Sequence, residues 1–161
     1  MREVQNTEDL LVCLLCTERE YKAGLVERCL DRYFGKDVST DRKVDVFVFF
    51  NKGELSNYDS LRRFEEFNSI GRLTLFSHEL DDEDDIYLRS SREVLEWKKD
   101  PKGILTRPRN RSLPSLGASA GPNNLFYRSF ETLLKQTHRY FLLIECDTFP
   151  VQPKWFDKIS D

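Results

Sequence analysis

The chain has 161 residues, 25 basic and 28 acidic side chains and a net charge of -3. That length predicts a single domain, 1–161, and the mildly acidic balance argues against a dedicated nucleic-acid binder, which is usually strongly basic. Four Cys are too few for a disulfide scaffold, and no apolar run approaches the ~18 residues of a membrane span. The polar start, 1–6, lacks a signal-peptide core, so a cytoplasmic location with no transmembrane segment is expected.

The first apolar run, 10–16, is short, continuous and bounded by polar residues, as a strand buried on both faces should be. The period then changes. Leu25, Val26, Cys29, Leu30, Tyr33 and Phe34 fall on one face of a helix over 21–34, with Gly35 at its C-cap. A second buried strand, 44–50, ends at the turn Asn51-Lys52-Gly53. Ser56 is the expected cap of a helix through about 68, and 72–76 is the third strand. Strands and helices alternating in this way predict an α/β fold with a Rossmann-like, mostly parallel sheet flanked by helices.

The pattern weakens between 78 and 116. Six acids crowd 79–85 and six bases lie in 98–111, with a short helix expected near 90–98 and a long irregular charged segment around it. Order returns at Gly121-Pro122-Asn123-Asn124, which opens a helix through about 136. Its expected inner face is Leu125, Phe126, Ser129, Phe130, Leu133 and Leu134. The strongest apolar strand follows, 140–144, read as buried, and runs straight into Glu145-Cys146-Asp147-Thr148.

Glu145-x-Asp147 is the informative constellation. Side chains at i and i+2 of a strand share a face, so two carboxylates are expected together at the carboxyl end of a buried strand, the edge at which open α/β sheets bind ligands. Two adjacent acids repel unless something positive lies between them, and a hard cation such as Mn²⁺ or Mg²⁺ suits oxygen ligands. The small residues of 117–121 and the helix start beside them would let backbone approach an anion closely. A strand end pointing at water and an unliganded loop are the plain alternatives.

Taken in order, a strand ending in Cys16-Thr17-Glu18, a strand ending at Asn51, a small-residue helix start and the run Leu142-Leu143-Ile144-Glu145-Cys146-Asp147-Thr148 resemble the nucleotide-diphospho-sugar transferases, the GT-A glycosyltransferases. The last run is similar to the family's D-x-D motif, with Glu in place of the first Asp. The resemblance covers about residues 9–160, except 78–116. It implies transfer of a sugar from a nucleotide-diphospho-sugar donor to a hydroxyl of an acceptor glycan or other compound, with no role for nucleic acid. It implies Asp147 as ligand of Mn²⁺ or Mg²⁺, with Glu145 reaching the metal through water or the ribose. Thr17 and Glu18 would lie against base and ribose, Asn51 near the base, and Gly121, Asn123 and Asn124 along the nucleotide. The family's general base and acceptor pocket normally follow this motif, so a donor-binding domain lacking much of the acceptor part is expected.

Other patterns carry less. Cys13-x-x-Cys16 lies within a strand and points its thiols to opposite faces, as buried structural Cys do, whereas Cys146 beside the acids is expected to be partly exposed. His78 and His138 have no ligand-spaced partner and default to the surface. Arg107-Pro108-Arg109-Asn110-Arg111 reads as a solvated loop, the acids of 81–85 as a solvated run, and Asp157 and Asp161 are unmarked tail acids. A sugar-phosphate nucleotidyltransferase would need a Gly-rich basic loop after the first strand, where 17–22 has none. The contrasting reading is a non-catalytic interaction module using 79–111.

Overall fold

The computed structural model describes residues 10–35, 43–80, 99, 120–152 and 155. The expected helix near 90–98, the acids of 81–85, the Arg-rich 107–111, Asp157 and Asp161 lie outside them. The chain forms two compact units: Met1–Ser77 with Gln136–Asp161, and His78–Lys135.

The first unit is built on a four-stranded, all-parallel sheet in the order β3-β2-β1-β4. The strands are β1 (Leu10–Thr17), β2 (Val44–Asn51), β3 (Ile70–His78, whose last residue falls in the second unit) and β4 (Tyr140–Glu145). β1 pairs with β2 on one side, Leu11 to Asp45 through Thr17 to Asn51, and with β4 on the other, Leu10 to Tyr140 through Leu15 to Glu145. A parallel strand needs cover on both faces, and β1 has it: Leu11, Val12, Cys13, Leu14 and Cys16 are all buried.

One face of the sheet carries the main core. Val12, Leu14 and Cys16 of β1, Val46, Val48 and Phe50 of β2, and Ile144 meet Val26, Cys29, Leu30 and Tyr33 from the helix that links β1 to β2. The opposite face holds Phe47, Phe49 and Phe76, with Phe49 and Phe76 stacked at 4.8 Å. Cys13 and Cys16 are buried on opposite faces, as strand alternation requires.

The continuous helix expected over 21–34 is two helices. α1 (Glu18–Lys22) starts directly at the end of β1, and α2 (Leu25–Phe34) follows Gly24, whose φ of 67° is left-handed and breaks the run. Gly35 does close α2, and its amide donates to the Asp31 carbonyl. The helix expected from Ser56 is a run of 3-10 turns over Leu55–Glu66 with Glu54, not Ser56, at its start. Tyr58, Leu61 and Phe64 recur every three residues, the period of a 3-10 helix, and are buried.

Tyr58 ties this segment to its neighbours. Its ring stacks on Phe50 at 3.5 Å and meets Tyr21 edge-on at 5.0 Å, and its hydroxyl donates to the Lys52 carbonyl at 2.7 Å. The turn after β2 must therefore pass close over the phenol. Lys52 and Gly53 both take positive φ there, 74° and 94°.

β4 departs most from expectation. Of its six residues only Ile144 is fully buried, and Tyr140, Phe141 and Leu143 are exposed. The reason is its place at the end of the sheet: the apolar run reads as a central strand, but β4 pairs with β1 alone among the described residues. His138, expected at the surface, has a side chain only 6% exposed, with Nε2 3.3 Å from Asp45 Oδ2. The same carboxylate is held by Arg72 at 2.7 Å, so groups from the amino ends of β2, β3 and β4 meet at Asp45.

In the second unit, α3 (Ala120–Leu133) starts one residue before Gly121 and stops short of 136. Leu125, Ser129 and Leu133 are buried as expected, whereas Phe130 and Leu134 are exposed. His78 is half-buried rather than at the surface. Burial, and then Arg128, lowers its pKa.

A side chain at Gly53 would collide with the Tyr58 hydroxyl and sit at unfavourable φ. Gly53→Ala is expected to cost about 1–3 kcal/mol in urea unfolding. A loss within error of zero would show that Tyr58 does not pin this turn.

Candidate functional site at the carboxyl edge of the sheet

Strand order creates the site. From β1 the chain steps one way to β2 and β3, and β4 lies on the other side of β1. In open parallel sheets the crevice outside the carboxyl ends, where the order reverses, is the natural place for a ligand. Here that place is the junction of β1 and β4. The register sets Thr17 beside Asn51 and Leu15 beside Glu145, so Thr17, Glu18, Asn51, Glu145 and Asp147 all belong to one edge of the sheet.

Within that edge each residue has its own surroundings. Thr17 caps α1: its Oγ1 accepts from the Glu20 amide at 3.2 Å, and its own amide donates to Glu20 Oε2 at 2.7 Å. The T-x-x-E spacing of Thr17 and Glu20 is the readable signal of this capping box, and it gives the hydroxyl a structural task. Glu18 pairs with Lys22 at 2.8 Å on the surface, where such an ion pair adds little stability. Asn51 is buried at the end of β2. Gly121, Asn123 and Asn124 lie in the first turns of α3, in the second unit, with Asn124 buried.

The two acids do not leave one strand face together. Glu145 is the last residue of β4, and Asp147 already lies in the following turn. Both are exposed. The turn that carries them is closed by Thr148, to which the sequence reading gave no role. Its Oγ1 donates to the Glu145 carbonyl at 2.7 Å, and its amide donates to the same oxygen at 3.0 Å. Tyr33 of α2 reaches Thr148 with its hydroxyl 3.1 Å from Oγ1, and Trp155 Nε1 donates to the Tyr33 carbonyl at 2.9 Å. The acidic turn is thus braced against α2 through a chain of hydrogen bonds. A Thr three residues after an acceptor carbonyl is a readable signal of such a local bond. Tyr33 and Trp155 are far away in sequence and leave no such trace.

Beneath the turn lies a thiol cluster. Cys146, expected to be partly exposed, is buried, and it contacts Cys16 one step beyond the last β1–β4 register pair. Cys29 Sγ lies 3.6 Å from the Glu145 carbonyl. Burial pushes the Cys29 thiol up to about 12, helped by Cys146, and drives Cys16 well above its ordinary value. Burial also pushes Cys13 up to about 12. These are packing thiols, not nucleophiles, because the thiolate is the reactive form. Beside them a cavity of about 540 Å³ opens along β4, lined by Tyr33, Leu142, Ile144, Glu145, Thr148 and Trp155 among others.

No group of three or more His, Cys, Asp or Glu side chains among the described residues is arranged to hold a metal ion. Glu145 and Asp147 are thus a pair of carboxylates and not part of a larger ligand group among the described residues. That donor set fits a hard cation that completes its shell with phosphate oxygens and water, as Mg²⁺ commonly does, and not an all-protein cage.

No protein-family model, curated protein or solved structure matches the chain.

Raised thiol pKa values and burial predict that Cys13, Cys16 and Cys29 resist Ellman's reagent at pH 8 in the folded protein and react in guanidinium. Rapid labelling of all three without denaturant would show that the cluster is open. Thr148→Val keeps the shape and removes the bonds to Glu145, and is expected to cost about 1–2 kcal/mol in a denaturation curve.

Proposed function

We propose that this chain is a metal-dependent glycosyltransferase or its donor-binding domain, with a Rossmann-like sheet of the GT-A type, transferring sugar from a nucleotide-diphospho-sugar to an acceptor hydroxyl. The observation that carries the reading is the position of Glu145 and Asp147: two exposed acids, one closing β4 and one in the turn after it, at the point where strand order reverses beside β1.

The chemistry suits that position. Breaking a sugar–diphosphate bond builds negative charge on the departing phosphates, which the protein must meet with something positive. Asp147 would hold a divalent cation, with Glu145 binding it through water or turning to the ribose. When bound, that cation supplies Lewis-acid stabilisation of the leaving group. Glu18 and Asn51, on the same edge, would lie near the ribose and the base. Thr17 acts by holding α1 at the end of β1. The chain Thr148–Tyr33–Trp155 keeps the acidic turn in place, so less ordering is left to binding.

The test is thermal. A nucleoside diphosphate at about a hundredfold excess over its Kd, with Mn²⁺, is expected to raise Tm by roughly 5 °C or more. EDTA should remove the rise, and Asp147→Ala should abolish it while leaving the unliganded Tm nearly unchanged. No shift with UDP, GDP or any of their sugars would overturn the proposal.

A further inference from the structure

The cavity beside β4 has no task in the donor site. Its volume, about 540 Å³, is that of a pocket that encloses a small organic molecule. Its lining residues all belong to the first unit. Most of the wall is apolar: Leu142 and Ile144 of β4, the rings of Tyr33 and Trp155, and Phe149 and Val151 after the acidic turn. The Tyr33 and Trp155 rings meet edge to face, 5.3 Å apart and at 86°. Phe149 is 57% exposed and Val151 89%, so apolar surface stands open to water along the cavity.

The polar atoms of the wall decide what it can hold. A threonine hydroxyl, a tyrosine hydroxyl and an indole each have one hydrogen to donate. Thr148 gives its own to the Glu145 carbonyl, 2.7 Å away. Tyr33, 3.1 Å from Thr148 Oγ1, is then the donor of that pair. Trp155 Nε1 donates to the Tyr33 carbonyl at 2.9 Å. Of the side-chain donors in the wall, only the exposed amide of Gln152 lies outside this chain of bonds.

The acceptors are a different matter. Glu145 is the one charged residue among those lining the cavity, and it is exposed. An ionised carboxylate can only accept. Asp147, also exposed, adds a second negative charge in the following turn. Arg32 rests over the Phe149 ring, 5.2 Å from its centre. The wall thus offers apolar contact, an unspent acceptor and negative charge.

We propose that this cavity binds a small organic amine, its apolar body against Leu142, Ile144 and the rings of Tyr33 and Trp155, and its ammonium at Glu145. An ammonium meets both needs of the carboxylate, a donated hydrogen and an opposite charge. An alcohol meets only the first. A carboxylate or phosphate would find the hydroxyl and indole donors spent and would be repelled by Glu145. The site goes beyond the glycosyl-transfer reading and does not need it, since neither nucleotide nor metal takes part.

The test is calorimetry with octylamine, 1-octanol and octanoate, in EDTA and without nucleotide, so that the body is constant and only the end group changes. At pH 7 octylamine is expected to bind one to one and about tenfold more tightly than octanoate, with octanol between them. Glu145→Gln should weaken octylamine about fivefold and bring it close to octanol. Leu142→Trp fills the cavity and should remove binding of all three. Gln152→Lys, at an exposed position, puts a cation in the wall and should favour octanoate over octylamine. It replaces the tryptophan variant if that one fails to fold. No binding of octylamine at millimolar concentration overturns the proposal. So does octanoate binding as tightly as octylamine, or a preference for the amine that survives both Glu145→Gln and Gln152→Lys.

Discussion

The structure depends on one constraint: β1 must be hydrogen-bonded along both edges and buried on both faces. Its run of Leu, Val and Cys offers nothing to water, and parallel pairing to β2 and β4 leaves no edge open. Everything else is arranged to satisfy that strand. α2 and the 3-10 segment cover one face, with Val26, Leu30, Tyr58 and Leu61 as contacts. β4 takes the side that β2 leaves free, and so the strand order reverses at β1. The crevice at the carboxyl edge is a by-product of covering one strand completely.

That edge is held from below as well as from the side. The thiols of Cys16, Cys29 and Cys146 fill the space under the acidic turn, where small apolar groups can pack close to backbone. Thr148, Tyr33 and Trp155 fix the turn from the α2 side. The acids themselves remain in water. The carboxylates are thus free to meet a charged ligand, while the backbone that carries them is not free to move. On the far side of the same edge, Tyr58 performs a comparable task, joining α1, β2 and the following turn through stacked rings and one hydrogen bond.

Strand position also explains where local sequence misleads. Residues 140–144 are as apolar as β1, yet they lie at the margin of the sheet and stay largely exposed. A helical period continues smoothly from 21 to 34, yet Gly24 turns left-handed and splits it. Leu61 and Phe64 fit an α-helical face and a 3-10 face equally well, because a spacing of three is common to both. For β4 and the 3-10 run the local pattern permitted two outcomes and packing chose one, whereas at Gly24 a local left-handed turn did.

The sequence by itself determined strands at 10–16 and 44–50, the α/β class with a mostly parallel sheet, the apolar face of α2 and the presence of two acids at the close of the last strand. These follow from period and continuity, which are properties of neighbouring residues. Only the tertiary structure decided that β1 is central and β4 terminal, that His138 is buried against Asp45, and that Thr148, Tyr33 and Trp155 brace Glu145. Those outcomes depend on which strand pairs with which, and pairing is settled by burial summed over the sheet and not by any local run of residues.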